Sequence, residues 1–429
     1  MRRIAARLLL SLAAAAVLAA GCNSEQSKPD RPPPPRPITE SGLVRHLSAL
    51  ERIATRAGGQ RAVGTPGYEE SVGYAADVLR HAGWRVRLQQ VPMPLWRERT
   101  PATLSVGEAA PLEPIRDFRV PGYSAAGQVD GPLRAVDDGC QATDFDGLSR
   151  GDVAFTGAGT CFLWRKTVNA RKAGASALVV QTSGSRRGVA FATLVFPRLG
   201  LPVVMMSTRV PARDGDRVQL SVDAETVSGR ASNVIAELGP RHGRVAMAGA
   251  HLDSVPNGPG INDNGSGVAT LLEVARTFGP RPPGRVRLAF WAGEEEGLYG
   301  SRRYVRELSE DQRREIAAYL NFDMLGSPNA VPAIYSDGEA RLGALLRRLH
   351  PGRERGVLTG NRSDHSAFER VGIAVNGLYS GATEPGPGGR PRDPCYHLPC
   401  DTLANVNRPE LLTMARATAR ALAALAQAK

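Results

Sequence analysis

The segment from residue 245 to residue 267 restricts the fold of this chain more than any other part of the sequence. An apolar run that begins at Val245 ends in His251-Leu252-Asp253, and a second polar cluster around Asp263 follows ten residues later. On a β-strand, side chains two residues apart point to the same face. Imidazole is a common zinc ligand, and a carboxylate on its second nitrogen fixes the tautomer and orientation of the ring. The pattern predicts a strand that ends at a metal site, with His251 as a ligand oriented by Asp253.

Taken alone, a His-x-Asp pair is more often a structural hydrogen bond at a strand end than a metal site. Two further strand-like runs, however, also lead into acidic residues. Residues 285–291 precede the three glutamates 294–296, and residues 317–322 precede Asp323. Active sites of α/β sheets lie at the carboxyl ends of strands, so we expect these groups to meet. The alternatives are acids at a helix N-terminus for the glutamates and an ordinary helix cap for Asp323.

Helical and strand-like patterns alternate along much of the chain. Apolar stripes with helical spacing occur at residues 43–53, 67–82, 266–278 and 409–426, and residues 84–88 alternate as a strand. This alternation predicts an α/β fold, a three-layer α/β sandwich around a mixed central sheet.

Five short blocks stand out in the sequence, and the first three of them lie at predicted strand ends. They are AHLDSVPNGPGINDNGSG (250–267), FWAGEEEGLYGS (290–301), YLNFDMLGSPN (319–329), NRSDHSAF (361–368) and CYHLPCD (395–401). In content and order they resemble the co-catalytic di-zinc exopeptidases, in particular the secreted bacterial leucyl-type aminopeptidases. Residues 49–84 and 231–239 are similar to the N-terminal segment and the first sheet strand of that family. The resemblance implies the zinc exopeptidase fold.

The resemblance also implies a set of metal ligands. Two zinc ions per chain are expected, with a water between them as the nucleophile. The first ion would take His251, Asp323 and one oxygen of Asp263. The second would take Glu295, His397 and the other oxygen of Asp263, which makes Asp263 the bridge.

Further roles follow from the same blocks. Glu294 would be the general base that takes the proton of the water and passes it to the leaving amine. Tyr396 would polarise the scissile carbonyl, and Arg362 would line the substrate site together with Asp323. A surface position fits Arg362 equally well. Glu296 stands where relatives often carry an apolar residue, and the register of the rest of the block favours the two glutamates before it as the functional pair.

Most of the seven histidines have no place in this site. His46 and His81 fall on helical patterns, where surface or packing roles are expected, and His242 and His350 lie in turn-like contexts. His365 matches a family motif near the pocket but not a ligand.

The N-terminus has the pattern of an export signal. A basic start and an apolar stretch from Leu8 to Ala20, too short for a membrane span of about 20 residues, precede Gly21-Cys22. This pattern resembles a bacterial lipobox, which implies a signal peptide at residues 1–21, lipidation of Cys22 and a Pro-rich linker at residues 22–37. The expected location is the outer face of the bacterial cell membrane, and simple secretion is the alternative.

Export to an oxidising compartment favours two disulfides among the four remaining cysteines. Cys395 and Cys400 flank His397, as they do in the aminopeptidases, and a bridge there would shape the loop that presents this ligand. Cys140 and Cys161 are the other candidates, with a pair of buried free thiols as the alternative.

Residues 99–229 interrupt the peptidase pattern and resemble a protease-associated domain. The segment has a strand, helix, strand pattern followed by buried strands at residues 177–180 and 201–206. It contains no cluster of ligands, so we expect a role in substrate access or stability. The peptidase domain would then comprise residues 38–98 and 230–429.

The net charge and the sequence motifs limit the classes of function that this chain can have. The net charge is +12, but the arginines are scattered and no nucleic-acid motif occurs, so no nucleic acid is expected as a partner. Attraction to an anionic membrane surface remains open. The leading hypothesis is a zinc aminopeptidase acting on the N-termini of peptides or proteins. A related zinc carboxypeptidase or glutaminyl cyclase is the first alternative, and a metal-free binding protein of the same fold is the second, which the complete ligand set disfavours.

Overall fold

The computed structural model describes residues 37–108, 111–182, 187–279, 282, 284–335, 340–349 and 363–427. Cys22, the predicted signal peptide and Arg362 lie outside these ranges, as does all but the last residue of the predicted linker. Among the helices of the described ranges, none has the length and apolar character needed to cross a membrane.

Strands and helices alternate through the described residues. The strands are β1 (Arg85–Val106), β2 (Phe118–Arg119), β3 (Gly127–Ala135), β4 (Val153–Gly157), β5 (Ala177–Thr182), β6 (Val203–Ser207), β7 (Arg217–Leu238), β8 (Val245–His251), β9 (Arg285–Trp291), β10 (Ile316–Phe322), β11 (Ala333–Ile334) and β12 (Val375–Tyr379). The helices are α1 (Glu40–Arg56), α2 (Pro66–His81), α3 (Leu163–Lys172), α4 (Gly265–Thr277), α5 (Tyr299–Glu307), α6 (Glu310–Glu315), α7 (Ala340–Leu349), α8 (His365–Glu369) and α9 (Arg408–Gln427).

The boundaries of α2, α4 and α9 differ from the predicted ones by one residue, because local caps determine where helices begin. Asn264 caps α4 by accepting a hydrogen bond of 2.9 Å from the amide of Gly267. Thr65 caps α2, whose first residue is Pro66, a favoured residue at this position.

The residues predicted to form a peptidase domain, 38–98 and 230–429, are called the peptidase half below, and they contain a mixed sheet, as predicted. Its strands run in the order β11-β12-β10-β8-β9-β7, with β1 paired to β7. Strands β12, β10, β8 and β9 are parallel to one another, whereas β11, β7 and β1 pair in antiparallel fashion. Because β10, β8 and β9 are parallel neighbours, their carboxyl ends lie side by side at one edge of the sheet.

Helices cover both faces of this sheet. Every residue of β8 is buried, which explains why its sequence is a continuous apolar run. Val245 and Met247 pack into a cluster with residues of α5 and α8, whereas Ala246 and Ala248 pack into the larger core formed with α1, α2, α4 and α9. The structure is therefore the predicted three-layer α/β sandwich.

A second hydrophobic core lies in the segment between β1 and β7. Strands β3, β4, β5 and β6 are parallel, α3 packs on β5, and the core residues come mainly from residues 96–224. Strand β4, helix α3 and strand β5 correspond to the strand, helix and strand predicted for this segment. Strands β1 and β7, of 22 residues each, pair along most of their length and run through both hydrophobic cores. Their register is interrupted between Glu98 and Thr103, next to the boundary drawn from the sequence.

Candidate metal centre

Three neighbouring strands deliver candidate ligands to one edge of the sheet. His251 is the last residue of β8, Asp323 directly follows β10, and Glu294 and Glu295 follow the end of β9. Asp263 comes from the loop before α4, next to the capping residue of that helix. The loop between β12 and α9 supplies His397, the remaining predicted ligand, from a distant part of the chain.

Asp263 lies between the two histidines. Nε2 of His251 is 3.1 Å from Asp263 Oδ1 and 3.3 Å from Asp323 Oδ1. Nε2 of His397 is 3.3 Å from Asp263 Oδ2 and 3.0 Å from Glu295 Oε2. The five side chains thus form two groups of three that share Asp263, and each oxygen of Asp263 faces a different histidine.

The geometry and the donor types fit zinc. Bonds of about 2.0–2.2 Å in a tetrahedral arrangement place ligand atoms roughly 3.3–3.6 Å apart, close to the spacing within each group. All donors are imidazole nitrogens and carboxylate oxygens, which zinc accepts. Oε1 of Glu295 is buried and has no hydrogen-bond partner among the described residues. A buried carboxylate oxygen without a donor is costly in the absence of a cation, so this atom supports a metal site.

The electrostatics of the site favour positive charge at its centre. Burial lowers the pKa of His251, but the carboxylates of Asp323, Asp253 and Asp263 outweigh burial and raise that pKa well above its usual value. Burial likewise opposes protonation of His397, and Glu295 and Asp263 together raise its pKa. Protons on the two rings would supply the charge that bound cations supply in a metal site.

The three consecutive glutamates occupy three different environments. Glu295 faces His397, and Glu294 lines the adjoining cavity without facing either histidine at ligand distance. Burial, together with the nearby Glu295, raises the pKa of Glu294 well above its usual value. Glu296 is buried away from the cavity next to Tyr123, and burial raises its pKa to about 8.

Asp253 is not where the strand prediction placed it. Strand β8 ends at His251, where its partner β9 also ends at Trp291, so Asp253 lies beyond the strand and its side chain is not set by strand alternation. Nδ1 of His251 is 3.1 Å from the main-chain oxygen of Asp253 and 3.7 Å from its carboxylate. That carboxylate instead accepts hydrogen bonds from the amides of Glu294 and Glu295, at 3.3 and 3.2 Å. Asp253 therefore orients the histidine mainly through its main chain and holds the glutamate loop with its side chain.

Two residues that support the ligands were not predicted from the sequence. The carboxylate of Asp401 accepts hydrogen bonds of 2.9 Å from the amides of Asn262 and Asp263. The hydroxyl of Ser363 donates a 2.7 Å hydrogen bond to Asp323. Both residues belong to blocks that carry the family resemblance, which was the available signal for them.

The loop that carries His397 is closed by a disulfide between Cys395 and Cys400, whose Cα atoms are 5.3 Å apart. Within it, the ring of Tyr396 stacks on the ring of His397, with 3.8 Å between centroids. The second predicted disulfide, between Cys140 and Cys161, is also present and lies within residues 99–229, which are called the inserted segment below.

A cavity of about 190 Å³ adjoins the candidate ligands. Besides the ligands and Glu294, it is lined by Met324, Tyr335, Ser363, Tyr379, Ala382, Thr383, Glu384 and Tyr396. His365 packs beside it with its ring 4.7 Å from that of Tyr335, and burial lowers its pKa to about 4. His46 is remote from this site, in a buried contact with Tyr74 and Glu273.

Comparison with known proteins gives a consistent result. Residues 233–422 match the model of Peptidase family M28. The chain is 36% identical over 426 residues to an aminopeptidase of Pseudomonas aeruginosa, an alignment that covers 88% of this chain and 79% of the relative. It is also 36% identical over 420 residues to a Mycobacterium tuberculosis protein named "Probable lipoprotein aminopeptidase LpqL", covering 87% of this chain and 82% of that protein. Among solved structures, a zinc aminopeptidase from Bacillus subtilis superimposes with a TM-score of 0.74 at 25% identity, covering 92% of this chain and 96% of that one.

Proposed function

The chain belongs to peptidase family M28, and we propose that it is a zinc-dependent aminopeptidase that releases N-terminal residues from peptides. One observation carries this proposal: the two oxygens of Asp263 face two different histidines, and each histidine also faces a second carboxylate. The relatives from Pseudomonas aeruginosa and Bacillus subtilis, which are named an aminopeptidase and a zinc aminopeptidase, support the same activity.

The two groups of ligands favour two zinc ions per chain. One group consists of His251, Asp323 and Asp263, and the other of Glu295, His397 and Asp263. When bound, such a metal pair supplies an activated water as the nucleophile and polarises the scissile carbonyl.

The remaining side chains handle protons and charge. Glu294 accepts the proton of the attacking water and delivers it to the leaving amine, because it lies beside the ligands without facing a histidine. Burial, with Asp263 and Glu295 nearby, raises the pKa of Tyr396 well above its usual value, so its phenol stays protonated and can donate to the developing oxyanion. Asp253 keeps the glutamate loop in place through its hydrogen bonds to the amides of Glu294 and Glu295.

The size of the cavity favours an exopeptidase. At about 190 Å³ it is smaller than the roughly 300–1,000 Å³ of pockets for drug-sized ligands. Such a space suits a single terminal residue better than the interior of a peptide chain.

Zinc content and turnover test the proposal together. We expect elemental analysis of reconstituted protein to find close to two zinc ions per chain, and free aminoacyl chromogenic substrates to be hydrolysed until a chelator is added. The matched control is the same substrate with an acetylated N-terminus, which should not be cleaved. One zinc that persists with excess metal, together with cyclisation of N-terminal Gln and no peptide cleavage, would establish a cyclase instead. Cleavage only at acidic C-terminal residues would establish the carboxypeptidase.

Two further parts of the sequence prediction belong to this proposal. Residues 99–229 form a protease-associated domain. Separately, Cys22 carries a lipid that holds the enzyme on the outer face of the membrane. The relative named as a probable lipoprotein supports the anchor. We expect Cys22→Ala to move the protein from the membrane fraction to the soluble fraction with unchanged kcat. Equal amounts of wild type and variant in the medium would indicate simple secretion.

A further inference from the structure

His397 receives its support from outside the peptidase half. Its Nδ1 lies 2.7 Å from the main-chain oxygen of Phe191, and the amide of Phe191 donates to the main-chain oxygen of His397 at 3.2 Å. Phe191 belongs to the inserted segment. His251, in contrast, faces the main-chain oxygen of Asp253, only two residues further along the same loop.

The contact with Phe191 determines which nitrogen of His397 is available to a metal. A nitrogen 2.7 Å from a carbonyl oxygen must carry the proton, because an oxygen cannot donate to it. In the neutral ring that can bind a metal, Nε2 is then the unprotonated nitrogen, and it is the one that faces Asp263 and Glu295. A carbonyl that fixes the tautomer in this way also fixes the ring orientation and increases the basicity of the ligand.

The backbone of His397 also needs support. Its φ angle is +57°, in the left-handed region that a residue with a Cβ adopts only when the surroundings hold it there. The main-chain oxygen of His397 accepts two hydrogen bonds from the inserted segment, one from the amide of Phe191 and one of 2.8 Å from Arg119. Both donors oppose rotation of this peptide unit.

Arg119 contacts the loop of His397 and one further loop of the peptidase sequence. It lies at the end of β2 with 5% of its surface exposed, and its guanidinium also donates to the main-chain oxygen of Pro256. Pro256 lies in the loop that follows His251 and Asp253. The guanidinium carbon is 5.0 Å from the centroid of the Phe191 ring, a cation–π contact that holds the side chain over the same loop. Burial lowers its pKa to about 10, opposed by Glu98 and Glu295, so Arg119 remains a charged donor at neutral pH.

We propose that the inserted segment completes one half of the metal centre, with Arg119 as the positioning residue that holds His397 in its ligand orientation. The proposal deepens the proposed function and rests on it, because it takes His397 as a zinc ligand. It replaces the expectation that this segment serves only substrate access or stability. The other half, built on His251 and Asp323, has its support within the peptidase sequence.

The test is the binding of each zinc ion, measured as zinc content against free zinc in a chelator buffer. We expect Arg119→Met to keep the first zinc with wild-type affinity and to weaken the second by about 10–100-fold, the usual effect of losing a group that supports a ligand. Arg119→Lys, which keeps a charged donor, should restore part of that affinity. Arg217→Met is the matched control, because Arg217 is an exposed arginine of the same segment that pairs with Asp130. The Arg217→Met variant should bind both zinc ions with wild-type affinity.

A merely structural role for Arg119 would give a different result. Equal weakening of both zinc ions, two unchanged affinities, or a Lys variant no better than the Met variant would overturn the proposal. If Arg119→Met does not fold, Phe191→Leu removes the aromatic face next to the guanidinium and keeps the main-chain contacts. Selective weakening of the second zinc in that variant supports the proposal, and unchanged affinities overturn it. Wild-type protein that binds a single zinc would contradict the proposed function before any variant is made.

Discussion

At the scale of single residues, position relative to strand ends gives identical side chains different chemistry. The glutamates at 294, 295 and 296 have the same intrinsic acidity, yet one lines the cavity, one faces a histidine and one is buried against Tyr123. The loop that carries them is fixed by the carboxylate of Asp253, which accepts from two consecutive amides. A loop held at its main chain directs each successive side chain to a different place.

The different environments of the three glutamates give a prediction for Glu294. We expect Glu294→Ala to retain both zinc ions and the fold but to lower kcat by about 10²–10⁴, the usual contribution of a positioned proton-transfer group. The matched control is Glu296→Gln. Because burial raises the pKa of Glu296 to about 8, this carboxyl is largely protonated at neutral pH, and the neutral amide should leave kcat near the wild-type value. Steady-state kinetics and zinc analysis of the two variants provide the measurement. A large loss in the Glu296 variant with a small one in the Glu294 variant would reverse the two roles.

At the scale of elements, the loop from residue 395 to residue 401 combines a disulfide, a proposed zinc ligand and the residue proposed to polarise the substrate. The disulfide closes a separation of only five residues, so it removes little conformational entropy from the unfolded chain. Its effect on stability should accordingly lie toward the low end of the ~0–5 kcal/mol range. The larger effect is local, because the same loop presents Tyr396 to the cavity and His397 to Asp263.

We therefore expect replacement of Cys395 and Cys400 by serine to reduce zinc affinity or kcat more than melting temperature. The control is the same double replacement at Cys140 and Cys161, a bridge that closes a separation of 21 residues in the inserted segment and should affect melting temperature more than kinetics. Peptide mapping of exported protein checks that both bridges form. Wild-type kinetics and zinc affinity in the Cys395/Cys400 variant would refute the local role.

At the scale of the whole molecule, the features that could be predicted from the sequence are those that depend on residues close together in the chain. Helices and buried strands follow from periodicity. The short motifs place candidate ligands at strand ends, and these meet because parallel neighbours place their carboxyl ends together. The exact end of β8 was missed, because it depends on where β9 stops pairing. The contacts of Phe191 and Arg119 with His397 join residues more than 200 positions apart, and no local pattern reports such a pair. The structure was needed to connect the inserted segment to the metal centre.

That connection predicts how the molecule responds when zinc is removed. Chelation leaves the charges of Asp263, Glu295 and Asp323 balanced only in part, by protons on the two histidines, and it removes one of the restraints on the His397 ring. Each ion present at about 100 times its Kd stabilises the folded state by ~2.7 kcal/mol, so we expect the melting temperature to fall on the order of 10 °C.

The loss of stability after chelation should also differ from one part of the chain to another. Since His397 is held between the metal centre and Phe191, hydrogen exchange after chelation should increase at residues 187–198 of the insert as well as at residues 395–401. Strands β4 and β5 lie in the second core, away from the cavity, and serve as the internal control with unchanged exchange. Increased exchange at residues 395–401 without an increase at residues 187–198 would mean that the inserted segment contacts His397 but that its own stability does not depend on the metal. A uniform increase that includes β4 and β5 would mean that zinc stabilises the molecule as one cooperative unit.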